Sequence, residues 1–204
     1  MLRVKLAVIY YSTTGTNYQM AKWAEEGAQE FGAEVRLLKV PHIQPPHDID
    51  TDPVKMALEE ESKDVPEVTL EDIDWADAII FSTPARFGVM VAPMKNLLET
   101  TGGLWAEGKL VNKVVSGMSS AQNPHGGQEA VLLSLYTSMY HWGAIVAAPG
   151  YTDPVIFGSG GNPYGTTATV SPEGEMLDDK DSIRSSAIHQ AKRTLTIASA
   201  IKTL

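Results

Sequence analysis

The sequence predicts an α/β fold in which a five-stranded parallel sheet is doubly wound, with helices covering both of its faces. Three observations carry this expectation. Apolar, β-branched runs without polar alternation recur along the chain, as in strands buried on both sides. Segments with apolar residues at helical spacing lie between them. The alternation of the two types calls for right-handed crossovers, which distribute the helices over both faces.

The first strand is the unbroken apolar run from Leu6 to Tyr11. A helix follows from Asn17 to Phe31, where Met20, Ala24, Ala28 and Phe31 recur at helical spacing and Gly32 stands at the stop. The second strand spans Glu34 to Val40. From Pro41 to about Pro66 the chain is rich in proline and acid, and reads as surface loop with one short helix; Glu59, Glu60 and Glu61 form a solvated face there. Thr69 with Asp72 forms a helix-capping box that delivers the chain into a third strand, Ala78 to Phe81. After a loop from Ser82 to Val91, a helix covers Pro93 to Thr100, with proline in its first turn and Gly102-Gly103 past its end.

The fourth strand is Lys113 to Met118. A loop from Ser119 to Gly127 leads into a helix with Val131, Leu132, Leu135 and Met139 on one face. The fifth strand begins at Ala144 to Ala148, and a long proline- and glycine-rich insertion without periodicity runs from Pro149 to about Asp179. A stretch of that length is expected to be functional or interfacial. The last helix, Asp181 to Lys202, turns Ala187, Ala191, Leu195 and Ala198 inward.

Composition bounds the function. A chain of 204 residues with 43% hydrophobic and 20% charged residues suits one globular domain. Its formal charge of -9 repels phosphate backbones and anionic headgroups, so nucleic acid is not an expected ligand. The absence of cysteine excludes disulfides, thiolate nucleophiles, iron–sulfur ligation and cysteine-based zinc sites. No apolar run exceeds Leu6 to Tyr11, which is far short of a bilayer span; a cytoplasmic protein without stable membrane association is expected. His42, His47 and His189 read as incidental, without the i, i+4 partner of a helical zinc motif, and no metal site is expected.

In a doubly wound sheet, ligands bind outside the carboxyl ends of the strands, so the loops after strands one, three and four converge. The first reads Ser12-Thr13-Thr14-Gly15-Thr16-Asn17 and opens directly into a helix. Free amides at a helix N-terminus, hydroxyl donors and a close-turning glycine suit a phosphate, although an ordinary capped turn has the same composition. No lysine follows Gly15 and there is no Gly-x-Gly-x-x-Gly, which favours a phosphate monoester over a triphosphate or a dinucleotide pyrophosphate. The second loop holds Thr83-Pro84-Ala85-Arg86-Phe87-Gly88, where Arg86 and Phe87 can lie against a planar ring or, as readily, form a surface pair and a plug. The third, Ser119 to Gly127, offers hydroxyls, amides and exposed backbone from Ser120, Ala121, Gln122, Asn123 and Gly126.

Taken together, Ser12 to Asn17, Thr83-Pro84-Ala85-Arg86-Phe87-Gly88, Thr101-Gly102-Gly103-Leu104-Trp105-Ala106, Gly126-Gly127-Gln128-Glu129 and Gly161-Asn162-Pro163-Tyr164-Gly165 resemble the WrbA family of flavodoxin-like NAD(P)H:quinone oxidoreductases. The resemblance covers nearly the whole chain. It implies FMN, with its phosphate on Ser12, Thr13, Gly15, Thr16 and Asn17, its ring beside Ala85, Arg86 and Phe87, and further contacts from Ser120, Ala121, Gln122, Asn123 and Gly126. It also implies that His141 reaches the flavin site, that Trp105 lines the substrate pocket, and that the protein is a homotetramer with active sites near subunit contacts. Two departures bear on this. Thr14 stands where many members carry an aromatic residue that touches the nicotinamide, and the third loop is less glycine-rich and one residue longer.

The implied reaction is a two-electron, ping-pong transfer from NADH or NADPH to flavin and then to a quinone. It needs no side-chain nucleophile. His125 and His141 are candidate proton donors to the quinone. A flavodoxin-type electron carrier and a regulatory flavin-binding protein are the alternatives; the carrier fits the acidic charge, while the insertion and Trp105 fit an enzyme.

Overall fold

The computed structural model describes residues 3–202. Its elements are β1 (Lys5–Tyr10), α1 (Thr16–Phe31), β2 (Glu34–Lys39), α2 (Pro53–Glu61), α3 (Leu70–Trp75), β3 (Ala78–Arg86), β4 (Val89–Met90), α4 (Ala92–Thr100), α5 (Gly102–Ala106), β5 (Val114–Ala121), α6 (Gln128–Trp142), β6 (Ile145–Val146), α7 (Val155–Gly158), β7 (Thr167–Thr169) and α8 (Lys180–Ile201). The parallel strands follow the order β2-β1-β3-β5, and the fifth position is shared by β6 and β7, which pair with successive parts of β5. The order therefore reverses between β1 and β3. That point of reversal is where an open α/β sheet leaves a crevice.

Alternation along the buried strands separates two cores. From β1, Ala7 and Ile9 join α3, α4 and α6 on one face, while Leu6, Val8 and Tyr10 join α1 and α8 on the other. Ala187, Ala191, Leu195 and Ala198 point inward as expected, but Phe31 is 39% exposed at the last turn of α1. The helix has already ended its contact with the sheet there, and Gly32 closes it in the left-handed conformation.

Several boundaries differ from the sequence reading. β3 runs on to Arg86 and β5 to Ala121, because the polar residues that mark the expected loops are themselves buried strand residues. Their hydroxyls find partners inside: Ser82 Oγ donates to the Asn17 carbonyl and Ser119 Oγ to the Thr83 carbonyl. Gly102 and Gly103 lie past the end of α4, as expected, and there begin a further short helix, α5. The insertion is not structureless either. It contains α7 and β7, and the buried Tyr136 ties it to the sheet by accepting from Gly117 N and donating to the Tyr164 carbonyl.

Candidate cofactor and substrate site

The crevice at the carboxyl ends of β1, β3 and β5 holds a cavity of about 560 Å3, within the usual range for small-ligand sites. Of the residues expected to bind a cofactor, Ser12, Thr13, Thr14, Asn17, Pro84, Ala85, Arg86, Phe87, Ser120, Ala121, Gln122, Asn123 and Gly126 border it. Gly15 and Thr16 lie just behind, at the start of α1.

The first loop is held by its own groups. Ser12 Oγ accepts from Gly15 N at 3.0 Å, and Gly15 turns the chain into α1 at φ 97°. Because a helix leaves its first amides without internal acceptors, those of Thr16, Asn17 and Tyr18 remain available at this end. The Thr16 hydroxyl is already committed to the Gly174 carbonyl, at 3.2 Å. Its contribution to an anion is therefore its amide. Asn17 is committed as well: its Nδ2 donates to Ser120 Oγ at 2.7 Å, and its Oδ1 accepts from Ser82 Oγ. This buried amide fastens the start of α1 to the ends of β3 and β5, so the loops that form the crevice are fixed relative to one another.

At the second loop, Arg86 donates to the Ala85 carbonyl and to Thr13 Oγ1, which stretches the guanidinium across the mouth towards the first loop. Among the described residues no carboxylate borders the cavity and Arg86 is the one charged residue that does, in a chain of net charge -9. The electrostatics of the cavity suit an anion. Phe87 and Gly88 form the two-residue turn between β3 and β4, both with positive φ, and Phe87 is fully exposed. A large side chain in that conformation is strained, and here it presents an uncovered ring at the edge of the cavity. In the third loop the Asn123 side chain accepts from His125 N, and its carbonyl accepts from Gln128 Nε2 and Gly126 N.

Three residues of the insertion, Val170, Ser171 and Pro172, also border the cavity and escaped the sequence reading. They belong to a hairpin that follows β7, closed by a bond from Gly174 N to the Ser171 carbonyl and by bridge pairing of Val170 with Met176. The signal for it was present: a β-branched run, Thr167 to Val170, followed by Ser171-Pro172-Glu173-Gly174, whose serine, proline and glycine stand where a type I turn favours them. Gly174 sits so close to the first loop that a Cβ there would lie 2.3 Å from Thr14 Cβ. The hairpin is a strap over the first loop.

Trp105 and His141 are not at this cavity. The indole Nε1 donates to the His141 carbonyl at 2.9 Å, and both residues are exposed. α6 starts beside the cavity at Gln128, and at ~1.5 Å per residue His141 lies about 20 Å further along it. His125 is exposed on the third loop and does not border the cavity.

Residues 4–152 match the model of the NADPH-dependent FMN reductase family. The chain belongs to this family. It is 50% identical over 194 residues to an NAD(P)H dehydrogenase (quinone) of Deinococcus radiodurans, covering 95% of each chain, and 40% identical over 198 residues to a protein of the same name from Brucella anthropi, covering 95% of this chain and 96% of the other. In structure it is similar to a flavodoxin, WrbA-like protein from Agrobacterium tumefaciens, with a TM-score of 0.61 over 98% of both chains at 18% identity. That similarity shows the flavodoxin-like fold, in agreement with the sheet order above.

Proposed function

We propose that the cavity holds FMN and that the protein is an FMN-dependent NAD(P)H:quinone oxidoreductase working by two-electron ping-pong transfer. The observation that carries this is a cavity at the β1/β3 crevice, bordered by no carboxylate among the described residues, with unpaired α1 amides at one end and the exposed Phe87 ring at the other. The amides of Thr16 and Asn17, with the hydroxyls of Ser12, Thr13 and Thr14 and the turn at Gly15, hold the phosphate. Pro84, Ala85, Arg86 and Phe87 flank the ring, and Ser120, Ala121, Gln122, Asn123 and Gly126 bond its edge and side chain. When bound, FMN supplies the hydride-accepting and electron-donating chemistry; the protein orients the reactants and excludes water.

The donor is NADH or NADPH and the acceptor a quinone, as the names of the relatives support, with the reaction set in the cytoplasm, where nicotinamide donors are found. His141 and Trp105 serve the site of a neighbouring copy in a homotetramer, since each is remote from the cavity of its own chain.

The test is anaerobic. Protein reconstituted with FMN and freed of excess flavin is expected to bleach with NADH and to recover its absorbance with benzoquinone at catalytic rates. Flavin that stays bound but is not reduced by NADH supports an electron carrier, and a chain that retains no flavin overturns the proposal.

A further inference from the structure

Tyr11 leaves β1 one residue before the phosphate loop and is 7% exposed. Its hydroxyl lies 2.9 Å from His42 Nδ1, with the two rings edge to face, and His42 Nε2 lies 3.4 Å from Glu59 Oε1. Glu59 is on the exposed face of α2. A phenol, an imidazole and a carboxylate thus form a hydrogen-bonded path from the interior to solvent. At its inner end Tyr11 borders a second cavity of about 400 Å3, which shares Thr13 and Arg86 with the cofactor cavity and has Val91, Ala92 and Pro93 as an apolar wall. Burial raises the Tyr11 phenol above its ordinary value, with Arg86 opposing and Glu59 adding to the rise, so the phenol holds its proton at neutral pH.

We infer that Tyr11 donates a proton to the oxygen of a quinone seated in this second cavity and is reprotonated through His42, with Glu59 at the solvent end. The inference rests on the quinone oxidoreductase reading. Reduction of a quinone to a hydroquinone takes a hydride equivalent, which originates on the nicotinamide, and one further proton. As the Tyr11 O–H bond breaks, an O–H bond forms on the quinone; the phenolate takes the proton on His42 Nδ1 as Nε2 takes one from solvent beside Glu59, which leaves the imidazole in its other neutral tautomer. The groups set around this path are Tyr11 after β1, Glu59 on α2 and Arg86 at the end of β3, with His47, Asp48 and Lys55 on the far wall of the cavity.

The holoenzyme and its Tyr11→Phe and His42→Asn variants are compared with benzoquinone, which needs the proton, and with ferricyanide, which does not. Benzoquinone reduction is expected to fall by ~10-fold or more in both variants, with ferricyanide reduction unchanged. In the flavin-free protein, the 15N resonance of His42 Nδ1 is expected to move on Tyr11→Phe. Equal losses with both acceptors, an unaltered quinone rate, or an unmoved resonance overturn the relay. Wild-type protein that keeps its FMN but does not reduce benzoquinone overturns the underlying reading, and the relay with it.

Discussion

Phe87 shows what a single residue at this site costs and provides. It occupies the first central position of a two-residue hairpin turn at φ 52°, where asparagine or glycine is the comfortable choice, and its ring is left entirely to solvent. Neither local conformation nor burial explains a phenylalanine there; the proposed contact with the flavin ring does. Phe87→Asn is therefore expected to raise the stability of the flavin-free protein by ~1 kcal/mol, through relief of the left-handed strain, while weakening FMN retention. Urea unfolding of the apoprotein and the flavin dissociation constant, measured on the same preparation, check both halves. A variant that loses stability and keeps its FMN affinity shows that the ring serves packing.

Two elements act on the site from outside the three expected loops, and each has a testable consequence. The strap after β7 rests on the loop after β1 through Gly174, at φ 88°, where a side chain meets both the left-handed penalty and the Thr14 side chain. Gly174→Ala is expected to lift the strap, break the bond from Thr16 Oγ1 to the Gly174 carbonyl, and weaken FMN binding about tenfold or more with little loss of global stability, as read by flavin fluorescence and urea unfolding. α3 positions the start of β3 through its capping box, in which Thr69 and Asp72 exchange bonds and Arg36 pairs with Asp72. Burial alone raises the Asp72 carboxyl, but the bonds from the Thr69 hydroxyl and amide and from Arg36 outweigh it and hold the carboxyl below its ordinary value. A depressed carboxyl contributes stability that is complete above its unfolded value and is lost as pH falls through the folded one. Asp72→Asn should thus lower stability at neutral pH and flatten the acid limb of the stability profile; an unchanged acid limb assigns that loss to other carboxylates. The capping box was legible in the sequence because both partners lie within one turn. The turn of the strap had a local signal, but its seat on the first loop had none, because it reaches Thr16 from 158 residues away in the chain, as the bond from Thr16 to Gly174 shows. The same holds for β3 and β5, whose last residues read as loop until the sheet supplies distant partners for Ser82 and Ser119.

At the scale of the molecule, the unexplained surface is apolar. Phe87 and Val89 of the hairpin, Leu133 and Tyr140 of α6, and Trp105 of α5 are all exposed, and the Trp105 indole is pinned to the His141 carbonyl at the far end of α6. Aromatic and aliphatic side chains exposed in this number mark an interface more often than a free surface. The face begins at the cofactor cavity with Phe87 and ends with His141. In the proposed homotetramer, a second copy seated on this face would bring its own Trp105 and His141 to the first copy's cavity. Leu133→Glu combined with Tyr140→Glu is then expected to dissociate the assembly, as read by light scattering, and to reduce quinone turnover while FMN stays bound, because α6 contributes these side chains outward and its buried face is untouched. The wild type should also lose specific activity on dilution below its assembly constant. A monomeric wild type with full turnover, or a dissociated variant that turns over normally, shows that each cavity is complete in one chain and removes Trp105 and His141 from the reaction.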